Sequence, residues 1–142
     1  MSWARERLDA LVAGKSVPPP VVQTLRLGTL LEWGEGWIKK DWVPAPELLN
    51  ADGSMFGGYV AALADQALAF AAMTVVAPDA AFRTINLQVN FLRVGRAHPL
   101  SIEARVVAVT RQLLTVRAEF RRDDSELIAE ATGQHLLMPR EA

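Results

Sequence analysis

The chain has 142 residues, of which 51% are hydrophobic and 22% charged, and its net charge is −1. This balance is typical of one globular domain, expected here to span residues 1–142. The near-neutral charge argues against a nucleic-acid surface, and the lack of cysteine excludes thiol nucleophiles, disulfides and Cys-zinc sites. Because the N-terminus lacks the apolar core of a signal peptide, the cytoplasm is the expected compartment.

The first third of the chain predicts one short helix followed by two strands. Apolar residues at helical spacing predict an amphipathic helix over Trp3–Ala13. The three prolines at 18–20 predict a stiff, extended connector within an N-terminal segment 1–20. Strands are predicted for Leu25–Trp33 and Trp37–Val43, separated by a Gly-Glu-Gly turn.

A long central helix is predicted over residues 53–77, with Ser54 or Asp52 as its N-cap and its end before Pro78. It is apolar on nearly every side, which indicates that it is buried on nearly every side. Asp65 lies in its middle, where a charged residue would raise the free energy of membrane insertion by about 2.5–3.5 kcal/mol. A membrane span is therefore disfavoured. Asp65 alone fits a structural role and a functional role equally well.

Four strands are predicted after the helix. The segment Phe82–Leu92 alternates between apolar and polar residues, with Ile85, Leu87, Val89 and Phe91 on one face. Short turns join the strands, which predicts an antiparallel sheet of about six strands. We expect the α+β hot-dog fold, in which such a sheet curls around one long buried helix. The remaining predicted strands are Leu100–Val109, Leu113–Arg121 and Glu126–Met138.

The glycine pair Gly57-Gly58 lies in the first helical turn, where backbone N–H groups lack partners within the helix. These donors would form an oxyanion hole for a carbonyl that becomes charged in the transition state, although the glycines would equally serve close packing. Asp65 lies eight residues further on, about 12 Å along the helix. One carbonyl cannot reach both groups of one chain, so we expect a dimer with composite sites at its interface.

The remaining candidates are weaker. His98 and His135 lack spaced His or carboxylate partners, so neither a metal nor another cofactor is expected. Arginine is suited to holding phosphate groups. The arginines at turns and strand ends, which are either solvated or available to a phosphate-rich ligand, are Arg93, Arg96 and Arg111.

Several motifs together resemble one known family. The pattern N-x-x-G-S-M-F-G-G followed by A-x-L-A-D is similar to the acyl-CoA thioesterases of the hot-dog superfamily, in the phenylacetate-pathway (PaaI-like) branch. The segments T-I-N-L-Q-V-N-F-L-R and A-E-A-T-G-Q are similar to that branch too. The resemblance covers roughly Leu25 to Met138 and implies hydrolysis of an acyl-CoA thioester by a homodimer that often pairs into a tetramer, without nucleic acid or a membrane.

The resemblance also implies a role for each matching residue. Asp65 would activate water or attack the thioester, and the backbone N–H of Gly57 would form the oxyanion hole. Asn50 would position the water or the carbonyl, and Thr84 would help to hold water. The residues assigned to substrate binding are Phe56, Gly58, Gln66, Arg93, Arg96 and Arg111.

The sequence departs from the family at Phe56, where the family usually has histidine. A phenyl ring cannot form the hydrogen bonds of an imidazole, but it can line an acyl pocket. The alternative function is therefore a hot-dog protein that binds acyl-CoA or a similar lipid without hydrolysing it. A hot-dog hydratase and a purely structural partner fit the residues less well. The acyl group, aromatic or medium-chain, stays open, as does its carrier, coenzyme A or acyl carrier protein.

Overall fold

The computed structural model of the protein describes residues 2–123 and 125–141. Short helices open this part of the chain, one long helix follows the first two strands, and four strands come after it. The elements in chain order are α1 (Trp3–Val12), α2 (Pro20–Thr24), β1 (Glu32–Gly34), β2 (Trp37–Trp42), a 3-10 turn (Pro46–Leu48), α3 (Gly57–Met73), β3 (Ala80–Phe91), β4 (Leu100–Val109), β5 (Leu113–Arg122) and β6 (Glu126–Pro139).

The six strands form one antiparallel sheet in the order β1-β2-β4-β5-β6-β3. Helix α3 packs against strands β2 to β6, so the sheet wraps around it. The predicted hot-dog fold is therefore confirmed. The connection from β2 to β3 carries α3, and β3 lies at the far edge of the sheet, where β6 is its one neighbour among the described strands.

Helix α3 fits closely against the sheet because four of its nine buried residues are alanine. Ala64, Ala67 and Ala71 are fully buried, as are the larger Leu63 and Leu68. On strand β6, a Cβ at Gly133 would lie 2.8 Å from the Cδ1 atom of Leu68, so only glycine lets this leucine approach so closely. The opposite side of α3 is open, and both Gly58 and Asp65 are exposed there.

The predicted bounds and N-cap of the central helix are wrong. It runs from Gly57 to Met73 rather than over 53–77, and the N-cap position is Phe56, which makes no side-chain cap hydrogen bond. Asp52 and Ser54 are engaged in their own turn instead. The Oδ1 atom of Asp52 accepts hydrogen bonds from the amide of Ser54 at 2.9 Å and from its hydroxyl at 2.5 Å. Short polar side chains favour such local turns over helix, which delays the start of α3.

The strand predicted over Leu25–Trp33 is wrong for most of its length, since β1 holds only Glu32–Gly34. Two residues there have positive φ angles, Arg26 at 52° and Gly28 at 73°, whereas the residues of a regular strand have negative φ angles. Leu27 and Leu30 instead enter the core. The connector is also partly helical, because Pro20 begins α2 at a position where proline suits a helix.

The other predicted strands agree with the structure to within two residues, but β3 differs in its exposure. A register shift between Thr84 and Asn86 interrupts its alternation. Ile85 and Phe91, predicted to share an apolar face, are both more than half exposed in the single chain. This edge strand therefore presents apolar side chains and unpaired backbone groups to its surroundings. Within residues 2–123 and 125–141, no helix has the length and hydropathy needed to span a membrane.

Candidate active site

Asp65 and Thr84 meet on the open side of the molecule. Asp65 projects from the exposed face of α3, and Thr84 lies on the edge strand β3. The hydroxyl of Thr84 donates a hydrogen bond of 2.9 Å to the Oδ1 atom of Asp65. This bond fixes one carboxylate oxygen. Within the described residues, the Oδ2 atom accepts no hydrogen bond, so it is available to a water molecule or a substrate.

His135 extends this contact into the interior. It lies directly across from Thr84 in the pairing of β6 with β3, and its Nδ1 atom is 3.3 Å from the Thr84 Oγ1 atom. A carboxylate oxygen only accepts hydrogen bonds, so the single hydroxyl proton of Thr84 goes to Asp65. The proton in the second contact must then come from His135. The geometry assigns the tautomer in which Nδ1 carries the hydrogen.

The surroundings of His135 favour its neutral form. The side chain is fully buried, and its ring stands edge-on to Phe82 with the centroids 5.1 Å apart. Burial lowers the pKa of His135 below its ordinary value, and the nearby negative charge of Asp65 offsets only part of this effect. Its Nε2 atom has no hydrogen-bond partner among the described residues. A bare nitrogen lone pair is a smaller loss there than an N–H group without an acceptor.

The start of α3 presents two backbone donors beside a cavity. The amides of Gly57 and Gly58 make no hydrogen bond within the part of the chain that the structure describes, in keeping with the lack of a side-chain cap at Phe56. Gly57 lines a cavity of about 370 Å³ with Phe91, Arg93 and other residues. These amides and the helix dipole can therefore receive a partly negative oxygen.

Packing also constrains the two glycines. A Cβ at Gly57 would lie 3.2 Å from the Cζ atom of Phe91, and one at Gly58 would lie 2.6 Å from the Cε2 atom of Phe56. The first position is tight and the second would displace the phenyl ring. Close packing and free donors thus coexist at the same residues, and the geometry excludes neither of the two predicted roles.

Asn50 organises the loop that leads into α3. Its Nδ2 group donates to the hydroxyl of Ser54 at 3.0 Å and to the carbonyl of Met55 at 3.2 Å. The amide of Met55 in turn donates to the carbonyl of Gly95, at 2.8 Å, which ties the loop to the turn after β3. Asn50 therefore holds the approach to Gly57, and its exposed position leaves the side-chain carbonyl open to solvent.

The three candidate arginines do not form one cluster. Arg93 donates to the carbonyl of Leu127 at 2.6 Å and pairs with Glu126 at 3.5 Å, whereas Arg96 donates to the carbonyl of Asp52 at 3.1 Å. Both lie near the start of α3. Arg111 lines a cavity with Val75 and other residues beyond the C-terminal end of this helix. A single protomer therefore brings two of the three arginines to the glycine end.

The sequence profile of the thioesterase superfamily matches residues 52–129, which include α3 and most of the sheet. The chain belongs to the thioesterase superfamily. It is accordingly a thioester hydrolase with the hot-dog fold. No curated protein matches the sequence.

Solved structures with a similar fold include three proteins whose sequence identity to this thioesterase is low. A phenylacetic acid degradation-related protein from Ralstonia eutropha JMP134 is 27% identical, with a TM-score of 0.80 over 91% of this chain and 98% of that one. A thioesterase family protein from Silicibacter pomeroyi is 23% identical, with a TM-score of 0.81 over 96% and 99%. A Haemophilus influenzae thioesterase is 18% identical, with a TM-score of 0.78 over 94% and 90%.

Gln66, the neighbour of Asp65 on α3 in this thioesterase, is held by a buried lysine. Its Oε1 atom accepts a hydrogen bond from the ammonium group of Lys40, and its Nε2 group donates to the carbonyl of Gly28 at 3.0 Å. Lys40 also donates to the carbonyl of Leu27 at 2.6 Å, and its side chain is fully buried. Burial lowers the pKa of Lys40 to about 8.

Sequence reasoning missed both His135 and Lys40. The signal for Lys40 was present, since alternation in Trp37–Trp42 places it on the same face as the buried residues Ile38 and Trp42. Alternation in β6 likewise places His135 on the same face as the buried Ala129 and Ala131, but it does not reveal the partner of His135. Its contact depends on the register between β3 and β6, which are neighbours in the sheet but are separated by β4 and β5 in the chain.

Proposed function

We propose that this thioesterase hydrolyses an acyl-CoA, with Asp65 as the general base or nucleophile. The observation that carries the proposal is the hydrogen bond from Thr84 to Asp65, which fixes one carboxylate oxygen and leaves the other open. As a base, Asp65 takes a proton from water while the water oxygen attacks the thioester carbonyl. As a nucleophile, it forms an acyl anhydride that water then cleaves. On either route the carbon–sulfur bond breaks and the departing thiolate receives a proton.

In this proposal the oxyanion is held by the amide of Gly57 from a second copy of the chain. Within one protomer these groups lie about 12 Å apart along α3, too far for one carbonyl. Two further observations support a dimer. Strand β3 is an edge strand whose outer side pairs with no other described strand, and it carries exposed apolar side chains. The face of α3 that carries Asp65 is exposed as well. Pairing two β3 strands would cover both features and bring each Asp65 towards the other copy's glycines.

The remaining residues take positions around this centre. Asn50 shapes the loop and offers its carbonyl to the attacking water, and His135 orients the hydroxyl of Thr84. Phe56 and Gly58 border the thioester, while Arg93 and Arg96 lie near enough to the glycine end to meet coenzyme A phosphates. Arg111 would take part only from another protomer. The phenylacetic acid degradation-related relative makes an aromatic acyl group a natural candidate beside medium-chain acids.

The first experiment measures the release of free thiol from short, medium, long and aromatic acyl-CoAs by the wild type and by Asp65→Ala. We expect release by the wild type and none by the variant. Release that persists in the variant would remove Asp65 from the mechanism. If the wild type is silent but binds acyl-CoA tightly, the protein is a binding member of the fold, the alternative that Phe56 favours. Loading the same acyl groups on acyl carrier protein identifies the carrier.

A second experiment tests the composite site by mixing two inactive variants. Gly57→Pro removes the amide hydrogen at a helix position where proline is tolerated, and Asp65→Asn removes the base. In a mixed dimer, one of the two sites has both native groups, so random pairing should restore roughly a quarter of wild-type activity. Gly57→Ala, which keeps the amide while adding the same Cβ, is the control and should stay active. Failure of the mixture to recover any activity would place both groups in the same chain.

A further inference from the structure

The N-terminal segment and α3 enclose a cavity whose lining begins at Gln66, the residue after Asp65. It has a volume of about 490 Å³ and lies between residues 7–29 and one side of α3. The volume falls within the roughly 300–1,000 Å³ that small-molecule pockets usually have. The N-terminal residues that form one wall precede the region matched by the superfamily profile, which begins at residue 52. This N-terminal wall therefore lies outside the region that the profile matches.

The wall that α3 contributes starts next to the candidate base. Gln66, Ala69, Phe70 and Met73 line the pocket, and these positions form one stripe along the helix. Ala69 lies one turn beyond Asp65 on the same side, and helical side chains lean towards the N-terminus. The stripe therefore starts within one residue of Asp65 in the chain and runs along the helix towards its C-terminal end.

The inner surface of the pocket is largely hydrocarbon. Leu11, Pro19 and Val22 face the stripe from the N-terminal segment. Both polar groups of Gln66 are occupied, one by Lys40 and one by the carbonyl of Gly28, so this residue offers the pocket its methylene groups. The charged residues of the lining, Arg7 and Arg26, are exposed and lie at the solvent side.

We infer that this pocket binds the acyl group of the thioester substrate. The inference rests on the proposed function, because it takes the thioester carbonyl to lie at Asp65. From there an acyl chain would run along α3 past Ala69 and Phe70 towards Met73. The stripe from Gln66 to Met73 is about 10 Å long, similar to an extended chain of about eight carbons. Coenzyme A would leave in the other direction, towards the glycine end of the second copy.

Two substitutions in the pocket wall test the inference in opposite directions. Val22→Trp fills the pocket from the N-terminal segment, away from Asp65. We expect kcat/KM for octanoyl-CoA to fall about tenfold or more, with kcat/KM for acetyl-CoA changed less than about twofold. Phe70→Ala enlarges the pocket and should shift the preferred acyl chain to greater length. Thermal unfolding of both variants verifies that they are folded.

Two tryptophan variants elsewhere serve as matched controls. Val109→Trp fills the cavity of about 430 Å³ near Arg111 and should leave the chain-length profile unchanged. Val94→Trp fills the cavity of about 370 Å³ that Gly57 lines. If Val94→Trp, and not Val22→Trp, shortens the accepted chain, the acyl group lies at the glycine end and the inference is overturned. Unchanged profiles for both Val22→Trp and Phe70→Ala overturn it as well.

A binding measurement separates this inference from the proposed function. Titration calorimetry with sodium octanoate needs no turnover, and the wild type should bind this probe at least about tenfold more tightly than Val22→Trp does. If no acyl-CoA is hydrolysed but octanoate binding depends on Val22, the proposed function fails and the pocket stands. If acyl-CoA is hydrolysed but Val22→Trp binds octanoate as tightly as the wild type, the assignment of the pocket is wrong while the proposed function stands.

Discussion

Asp65 and Gln66 are consecutive residues on α3, and each is linked to a polar side chain buried in the sheet. Gln66 reaches Lys40 on β2, where the ammonium group also meets the carbonyl of Leu27. Asp65 reaches His135 on β6 through the hydroxyl of Thr84. In the first link, Lys40 and Gln66 also donate hydrogen bonds to backbone carbonyls, so both polar groups of Gln66 have partners. The second ends on an exposed carboxylate with one oxygen open.

The difference shows how one polar network can stabilise the fold while a similar one leaves a group open to solvent. In the Lys40 network both polar groups of Gln66 form hydrogen bonds within the protein. We therefore expect Gln66 to contribute to the stability of the folded state. In the Asp65 network one acceptor is left over on the surface, at the open face of the helix, where a substrate can reach it. Under the proposed mechanism this open oxygen takes the proton from water, so substitutions at Asp65 should alter turnover whereas substitutions at Lys40 or Gln66 should alter stability. Four substitutions separate the two networks.

The largest effect is expected for Asp65→Asn. The amide keeps the size and shape of the side chain but cannot act as a base, so kcat should fall about 10³-fold. KM should change less than about threefold, and the melting temperature should stay close to that of the wild type because the side chain is exposed. Steady-state kinetics and thermal unfolding measure these effects. Equal losses in kcat and in substrate affinity would contradict a role confined to the chemical step.

For Lys40→Met the effect falls on stability and depends on pH. The folded pKa of about 8 lies below the ordinary 10.5, so between these values the unfolded wild type binds more protons than the folded one. Wild-type stability should therefore rise relative to the variant by about 3 kcal/mol as the pH increases from about 8 to about 10.5. Below pH 8 Lys40 is charged in the folded protein, so the wild type bears the full free-energy cost of a buried charge. The stability of Lys40→Met relative to the wild type should therefore be highest in this pH range.

Urea unfolding of the wild type and Lys40→Met at pH 7 and pH 10.5 measures this difference, because other titrating groups cancel between the two proteins. Lys15→Met removes an exposed lysine and is the matched control. A wild-type advantage that stays constant across this pH range would mean that Lys40 is not desolvated in solution.

Gln66→Leu should also act on stability, but less strongly. The substitution leaves the buried ammonium group of Lys40 with one acceptor fewer, which costs about 2 kcal/mol. Gln66→Glu keeps an acceptor for Lys40 and should lose less. With acetyl-CoA as substrate, both variants should retain kcat within about tenfold of the wild type, in contrast to Asp65→Asn. A loss of kcat as large as that of Asp65→Asn, without loss of stability, would mean that Gln66 belongs to the catalytic site rather than to a separate stabilising network.

The smallest effect is expected at His135, which acts on Asp65 only through Thr84. His135→Leu removes the donor to Thr84, and kcat should fall roughly tenfold while KM is unchanged. His135→Asn can offer an N–H group near the position of Nδ1 and should recover most of this loss. In a Thr84→Val background the same His135→Leu change should have no further effect on kcat. Additive losses in the double variant would mean that His135 acts by another path.

Most of the fold could be predicted because β4, β5 and β6 alternate regularly and are joined by tight turns. The segment Leu25–Trp33 could not, because its backbone carbonyls are taken by side chains that follow in the chain. The Nε1 group of Trp42 donates to the carbonyl of Arg26 at 2.9 Å, and Lys40 donates to that of Leu27. Such long-range side-chain contacts override local strand preference and leave no periodic pattern in the sequence.

The candidate site was predictable where its residues stand in a local motif and unpredictable where they meet across the sheet. Asp65 and Gly57 belong to one continuous segment, so their spacing along the helix is visible in the sequence. The partner of Thr84, in contrast, is set by the pairing of β3 with β6 and by the register shift just after Thr84. A slip of one residue would turn His135 to the other face of the sheet.

The absence of a side-chain cap at Phe56 has a consequence for how this enzyme can evolve. Serine, threonine or asparagine at that position would accept a hydrogen bond from the amide of Gly58 or Tyr59 and typically add about 1 kcal/mol of stability. A bond to Gly58 would occupy one of the two free amides that the proposed oxyanion site presents, although not the amide of Gly57 itself. Under the proposed mechanism, selection for thermal stability alone would therefore favour substitutions of Phe56 that weaken oxyanion binding, and laboratory evolution of a more stable variant should measure turnover at every round.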